Sequence, residues 1–356
     1  MLITESKSYF RALERTLAGM DLSPLSGKTL LVSGATGMLG SCMVDLLMLW
    51  NLQADEPCHV VTASRSEKSA FARFSCWLDS TYFSFVALDV SKKLTNLPEK
   101  LEYIVHAASN ADPVKMAQFP VDTLLSNVCG TDNLIRYGMT HGMKRFLYVS
   151  SGEMYGQPNE NYDDLVEDYC GPVDHSKPRA CYPVGKRASE VLCQAYIDQY
   201  GIEAVIVRPC HIFGPTMTRS DSRATSEFLR SAAEGKDIIL KSAGTVERSQ
   251  CYVLDAVKAM LFVLLNGKNG EAYNIADNRY QMQICQFALR AAEAGNVSLR
   301  FEKPSDLEAR GYSKISRAVL SAEKLRTLGW QPDDSIDAIK ETVKILKETA
   351  YSVENK

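Results

Sequence analysis

From Lys28 to Leu49 the chain sets three things in order: a short β run, a glycine-rich turn and a strongly apolar helix. The run Lys28-Thr29-Leu30-Leu31-Val32-Ser33 passes directly into Gly34-Ala35-Thr36-Gly37-Met38-Leu39-Gly40, and Met43, Val44, Leu46, Leu47 and Leu49 follow. A plain turn needs one glycine. Three glycines at this spacing leave backbone N–H groups and a helix N-terminus bare, an arrangement that suits a pyrophosphate. The stretch predicts a parallel α/β sheet with a dinucleotide over the turn, contacted by Gly34, Thr36, Gly37, Met38, Leu39 and Gly40. The spacing is Gly-x-x-Gly-x-x-Gly, not the commoner Gly-x-Gly-x-x-Gly.

Further short apolar runs follow at intervals that leave room for helices. His59-Val60-Val61-Thr62-Ala63 is a second strand. An acidic residue that would accept from a ribose 2′-OH is expected at its end, but the chain reads Ser64-Arg65-Ser66. Arg65 could pair with a 2′-phosphate or be an ordinary solvated arginine, so the residues leave NAD against NADP open. Phe83–Leu88 is a third strand, ending in Asp89-Val90 where a polar side chain could meet an adenine edge. Tyr103–His106 is a fourth, running into Ala107-Ala108-Ser109, small residues that allow close backbone approach. His106 reads as a core histidine before a catalytic one. A helix is expected over 121–141, with Asn127 inside it, then strands at Phe146–Val149 and Ala204–Val207, the latter closed by Arg208-Pro209. Alternating β and α elements predict a doubly wound parallel sheet, the Rossmann arrangement.

A second constellation lies between the last two of these strands. Phe146–Val149 ends in Ser150-Ser151-Gly152-Glu153, placing a hydroxyl and a carboxylate at the C-terminal end of a strand, where open α/β sheets keep their sites. A polar loop from Gln157 to Ala180, with Asp163, Asp164, Glu167 and Asp168, leads to Tyr182-Pro183-Val184-Gly185-Lys186 at the start of a helical run. At i,i+4 the phenol and the ammonium share one helix face, and a cation beside a phenol favours the phenolate. Tyr182 is then a base for a hydroxyl proton. Tyr-x-x-x-Lys alone is weak, and two exposed helix residues explain it as often as catalysis does.

Beyond Phe213-Gly214-Pro215 a smaller C-terminal α/β lobe for substrate is expected. It holds a helix over 228–235, strands at Ile238–Leu240 and Ala272–Ile275, a helix over 255–266, and a surface helix pair around Gly329-Trp330-Gln331-Pro332. The expected organisation is a helical extension over 1–26, a dinucleotide-binding domain over 27–208 and mainly the substrate lobe over 209–356, with 245–265 returning to the first domain.

Composition narrows the partners. A chain of 356 residues with 46% hydrophobic content can bury a large core, and a net charge of -3 gives no electrostatic reason to bind nucleic acid or an anionic membrane. No apolar run approaches the ~20 residues that span a bilayer. The first fifteen residues interleave Glu5, Lys7, Arg11, Glu14 and Arg15 with apolar positions, an amphipathic helix and not a secretory leader. The 10 cysteines show no Cys-x-x-Cys pair, so free thiols in a reducing, cytoplasmic compartment and no metal site are expected.

In this order, Gly34-x-x-Gly37-x-x-Gly40, Ser151, Tyr182-x-x-x-Lys186 and Arg208-Pro209 resemble the extended short-chain dehydrogenase/reductase family, and within it the nucleotide-sugar epimerases and dehydratases. The resemblance runs from about Gly27 to Pro332. The stretches Pro178-Arg179-Ala180-Cys181-Tyr182 and Phe213-Gly214-Pro215-Thr216-Met217, with Ser222-Arg223, are similar to UDP-glucuronate decarboxylases, and Glu153 is similar to these and to the sugar-nucleotide 4,6-dehydratases. The resemblance implies a bound NAD contacted also by Ser64, Arg65, Asp89, Val90, Ala107, Ala108, Ser109, Asn127 and Pro209. It implies catalysis by Ser151, Glu153, Tyr182 and Lys186, with a nucleotide sugar held by Arg179, His211, Thr216, Arg223 and Arg248. It further implies transient oxidation at sugar C4 and a homodimer built on the helices around 121–141 and 184–200. Four departures stand out. Gly152 replaces the acid of the 4,6-dehydratases. Asparagine and arginine of the decarboxylases are His211 and Thr216 here, and the acidic residue after the second strand is missing. Decarboxylation is the leading activity, with 4-epimerisation or 4,6-dehydration as alternatives. A catalytically idle cofactor-binding sensor is the reading from another class.

Overall fold

The computed structural model describes residues 3–158, 164–302 and 317–350. Asp163 of the polar loop and residues 351–356 of the expected C-terminal helix pair lie outside the described residues.

Seven strands form one sheet: β1 (Thr29–Ser33), β2 (His59–Ser64), β3 (Phe83–Ala87), β4 (Tyr103–His106), β5 (Arg145–Val149), β6 (Ala204–Pro209) and β10 (Ala272–Ile275). Their order is β10-β6-β5-β4-β1-β2-β3, and every pairing is parallel. β1 lies between β2 and β4, with Leu30 opposite Val60 on one side and Tyr103 on the other. The chain winds outward from β1 in both directions, so a crevice opens at the carboxyl ends of β1 and β4, where ligands bind in such sheets. β1, β2, β5 and β6 are almost entirely buried because helices cover both faces, which explains their unbroken apolar runs, whereas only Phe83 of the edge strand β3 is buried.

Helix α2 (Met38–Asn51) is apolar nearly all round and almost wholly buried. It packs between α1 (Lys7–Leu17) and α8 (Val253–Asn266), and α8 also lies against β5 and β6. The N-terminal amphipathic helix is therefore part of the core: Tyr9, Ala12 and Leu13 are fully buried, and the Tyr9 hydroxyl donates to Asp45 at 2.8 Å. Arg15 at its other end pairs with Asp333 and Glu341.

A second sheet runs β11 (Asp277–Gln283), β9 (Glu247–Tyr252), β13 (Arg317–Ala318), with β7 (His211–Phe213) also paired to β9. β8 (Ile238–Leu240) pairs with β12 (Leu299–Phe301). Three sequence expectations shift. The segment at Phe213 is the end of a strand as well as a turn. The expected helix over 228–235 is α7 (Ala224–Ala233). The helices Glu323–Leu328 and Ala338–Ala350 do not form a surface pair, since Leu325, Trp330, Ile339, Val343 and Ile345 are buried. Ala338–Ala350 packs its apolar face against α1, α7 and α9 (Ile284–Gly295), and Glu323–Leu328 packs against β10. Among the described residues no helix is long and apolar enough to cross a membrane.

Candidate active site

One cleft of about 1190 Å³ opens along the carboxyl edge of the large sheet and extends toward β7 and β9. Its floor begins at the glycine turn. Gly34 has φ +71°, and a Cβ there would stand 2.8 Å from the backbone of Ala107 and Ala108. Gly40 lies so close to the turn that a Cβ would meet the Gly34 carbonyl oxygen at 2.5 Å. These two glycines let the turn pack against the exit of β4 and let α2 start directly behind it. Gly37 is the N-cap of that helix, which presents its N-terminal residues to the cleft.

At the end of β2 the Ser64 hydroxyl is buried with no hydrogen-bond partner among the described residues. Arg65 is exposed and places Nη2 3.3 Å from Asn110 Oδ1. Asp89 accepts from the Ser91 backbone and hydroxyl at 3.0 and 2.7 Å, with Val90 buried beside it. Ala107, Ala108, Ser109 and Pro209 line the same wall.

Tyr182 and Lys186 stand on the first turns of α6 (Cys181–Tyr200), both buried. Lys186 Nζ donates to the Val149 carbonyl at 2.6 Å and lies over the rings of Tyr148 and Tyr182, 5.0 and 5.6 Å from their centroids. Ser151 caps the 3-10 turn Gly152–Tyr155, accepting from the Glu153 N–H at 3.2 Å, and its hydroxyl lies near enough to the Tyr182 phenol to favour the ionised form. Burial, helped by the negative charge of Glu153, pushes the Tyr182 phenol up to about 12, against Ser151, Arg179 and Arg223. Burial also brings the Lys186 ammonium down to about 7, against Glu190. This corrects the expectation that the lysine makes the phenol acidic. The ammonium meets the ring face and a carbonyl, not the phenol oxygen, and desolvation dominates both groups.

Glu153 and Arg179 meet across the cleft mouth, Oε2 to Nη2 2.7 Å. On the far wall the His211 side chain is exposed and lines the cleft, with protein packed round its ring. Burial and the cations Arg248 and Arg223 hold its imidazole down at about 4. Arg223 is clamped by both oxygens of Asp221 and donates to the Ile212 carbonyl at 3.1 Å. Arg248 projects from β9, its pKa lowered by burial.

Two expected contacts turn away. Thr216 is buried outside the cleft and donates to the Met38 carbonyl at 2.9 Å. Asn127 is a buried bracket, donating to Ser109 Oγ at 3.0 Å and accepting from the Tyr148 hydroxyl at 3.1 Å. His106 is a core residue, with Nδ1 2.8 Å from the Ser33 hydroxyl. Burial holds it down at about 3. Sequence reasoning missed Glu190, which lies four residues past Lys186 on the same helix face and is buried against Arg208 and Ser150. Its i,i+4 spacing was the available signal. It also missed Asp112, which caps α4 (Pro113–Gln118) and accepts from the Ser222 N–H and hydroxyl at 3.0 and 2.8 Å, joining the two walls. Among the described residues no three His, Cys, Asp or Glu side chains gather as a metal site.

A doubly wound parallel sheet, a glycine turn at its switch point and a Ser–Tyr–Lys set beside it define a nucleotide-binding α/β protein of the short-chain dehydrogenase/reductase type. Residues 30–276 match the model of the NAD dependent epimerase/dehydratase family, and the chain belongs to that family. It is 31% identical over 316 residues to UDP-glucuronic acid decarboxylase 1 of Xenopus tropicalis, covering 87% of this chain and 70% of that one. It is 31% identical over 306 residues to UDP-glucuronic acid decarboxylase 3 of Arabidopsis thaliana, covering 85% and 84%. Among solved structures it resembles UDP-glucuronic acid 4-epimerase from Bacillus cereus, with a TM-score of 0.73, 20% identity and coverage of 90% and 99%. The dTDP-glucose 4,6-dehydratase from Streptomyces venezuelae gives a TM-score of 0.74, with 21% identity and coverage of 91% and 98%.

Proposed function

We propose that this chain binds NAD and decarboxylates a UDP-glucuronate-type nucleotide sugar by transient oxidation at C4. The observation that carries this reading is the meeting of Ser151, Glu153, Tyr182, Lys186 and Arg179 in one cleft, in a chain similar to UDP-glucuronic acid decarboxylases over most of its length.

The residues fit the cofactor. The glycine turn is a cradle that a Cβ would fill, Ser64 offers an unpartnered buried hydroxyl where a ribose would lie, and Lys186 is a buried cation. Gly34, Thr36, Gly37, Met38, Leu39 and Gly40 would hold its pyrophosphate, Asp89 and Val90 the adenine, and Lys186 the nicotinamide ribose. When bound, NAD supplies reversible hydride acceptance at C4, so the reaction has no net redox change.

Tyr182 in its phenolate form takes the O4 proton, the positive charge of a bound NAD offsetting the burial that raises the phenol in the open cleft, and Ser151 bonds the same oxygen, as donor or acceptor. With C4 a ketone, the C5–carboxylate bond breaks. Carbon dioxide leaves neutral, and the electron pair stays on the sugar as an enolate. Glu153, or a water it holds, returns a proton to C5. Arg248 would clamp the diphosphate. Gly152 offers no acid for a leaving O6, which speaks against 4,6-dehydration.

The test is mass spectrometry of products from a panel of UDP-, dTDP-, CDP- and GDP-sugars. The expected result is loss of carbon dioxide from UDP-glucuronate to give a UDP-pentose. An epimer of unchanged mass, loss of water, or no product across the panel would overturn the decarboxylase reading.

We further propose a two-fold homodimer through α5 (Pro120–Thr140) and α6. Leu134 and Ile135 are buried within the protomer, whereas Val121 and Val191 are each 66% exposed. Light scattering should give twice the chain mass. All ten cysteines are free thiols, which supports a reducing, cytoplasmic setting.

A further inference from the structure

Arg179 closes the short turn Pro178–Ala180 and stands three residues before Tyr182. Its side chain and that of Glu153 remain 45% and 41% exposed although they pair at 2.7 Å. Glu153 is its one hydrogen-bond partner among the described residues, and the contact uses a single η-nitrogen. A guanidinium carries five donors in a planar fork and takes a carboxylate on two parallel N–H groups. Arg179 therefore keeps unpaired donors in the cleft, in front of Tyr182.

The other cations near the phenol are already engaged. Arg223 has its fork filled by Asp221, and Lys186 is buried against the Val149 carbonyl. The Arg179 charge favours the ionised form of the Tyr182 phenol, which agrees with its place in the same cleft. A pyranose whose O4 meets Tyr182 and Ser151 carries its C5 substituent one ring carbon away, and Glu153 and Arg179 line the same cleft.

We propose that Arg179 is the specificity-determining residue for the substrate's C5 carboxylate, with Glu153 as the side chain that holds its guanidinium in orientation. This rests on the uronic-acid reading above. A neutral hexose would leave the unpaired donors of Arg179 to water. In the resting cleft Glu153 occupies one nitrogen and keeps the fork from collapsing onto another acceptor. When the C5–carboxylate bond breaks, the anion held by Arg179 becomes neutral carbon dioxide. The contact thus belongs to the bound substrate and not to the later steps, so its loss raises KM more than it lowers kcat.

The test uses Tyr182→Phe protein, so that nothing turns over, with and without Arg179→Ala. Calorimetric titrations are made with UDP-glucuronate, UDP-glucose and UDP. Arg179→Ala should weaken UDP-glucuronate by about tenfold or more, the lower range for a charge-assisted pair at a half-open site, and change UDP-glucose and UDP by less than about twofold. Arg179→Lys should recover part of the loss. UDP binding reports that the fold is intact. Equal losses for all three ligands, or no loss for UDP-glucuronate, would overturn the assignment. If the unmutated protein makes a UDP-pentose and the selective loss is missing, the Arg179 assignment alone falls. If it makes none yet prefers UDP-glucuronate through Arg179, the decarboxylase reading falls and carboxylate recognition stands.

Discussion

The guanidinium of Arg208 and the carboxylate of Glu190 form a buried two-pronged pair, Nη2–Oε2 2.6 Å and Nε–Oε1 3.1 Å, with side chains 9% and 8% exposed. Glu190 lies on the helix that carries Tyr182 and Lys186, and Arg208 on β6. The Ser150 hydroxyl donates to the same carboxylate from the end of β5, next to Ser151. One carboxylate thus sets the spacing of Tyr182 and Ser151. Arg208 also donates to the Tyr155 hydroxyl at 3.0 Å and the Glu167 carbonyl at 2.7 Å.

Glu190→Gln should leave the Arg208 charge buried with a neutral partner, costing about 3–5 kcal/mol by analogy with broken buried pairs. Urea unfolding followed by circular dichroism measures this. A loss under about 1 kcal/mol would mean that water or another group takes over the pairing.

Tyr182→Phe removes the proposed proton acceptor without opening a cavity. Turnover should fall at least ~100-fold while the dinucleotide stays bound. Near-normal turnover would remove Tyr182 from the chemistry.

Cofactor released from the purified protein and separated by chromatography should be NAD, without a 2′-phosphate. Arg65, exposed and hydrogen-bonded among the described residues only to Asn110, should then tolerate alanine with less than about a threefold change in NAD affinity, the scale of one surface contact. Recovery of the 2′-phosphorylated form, lost selectively in Arg65→Ala, would make Arg65 its partner.

Asp255 supplies a pH-dependent stability outside the cleft. Its Oδ1 accepts from the Asp333 N–H at 2.8 Å, but Oδ2 has no hydrogen bond among the described residues and is 3.7 Å from Arg279, which is bound to Asp277. Burial, with Asp277 nearby, raises its carboxyl to about 7. The native state keeps this proton where the unfolded chain has released it, so stability is fully present below about 4 and falls as pH rises to about 7. Asp255→Asn should match the parent near pH 4 and exceed it at pH 8 by on the order of 2–4 kcal/mol. Parallel melting curves for the two proteins across that range would contradict this.

Much of the large sheet was legible because its signals are local. The glycine turn, the unbroken apolar strands at 59–63, 103–106 and 146–149 and the apolar face of α2 each follow from neighbouring residues, since a strand buried on both faces must be apolar throughout. β11 was not legible. It reads Asp-Asn-Arg-Tyr-Gln-Met-Gln, and its polar residues are accommodated by contacts such as Arg279 with Asp277 and Gln281 with Glu247.

Within the cleft the same boundary holds. Sequence alone determined which residue types stand at which strand ends and on which helix face: Gly34 and Gly40 in the turn, Ser151 after β5, Tyr182 and Lys186 one turn apart. Tertiary structure alone decided that Thr216 and Asn127 bond inward, that Arg179 meets Glu153, and that Lys186 faces a ring and a carbonyl instead of the phenol oxygen. The physical reason is range. Backbone geometry and periodicity act over a few residues, whereas desolvation and the pairing of charges 18 or 26 residues apart depend on how the elements pack.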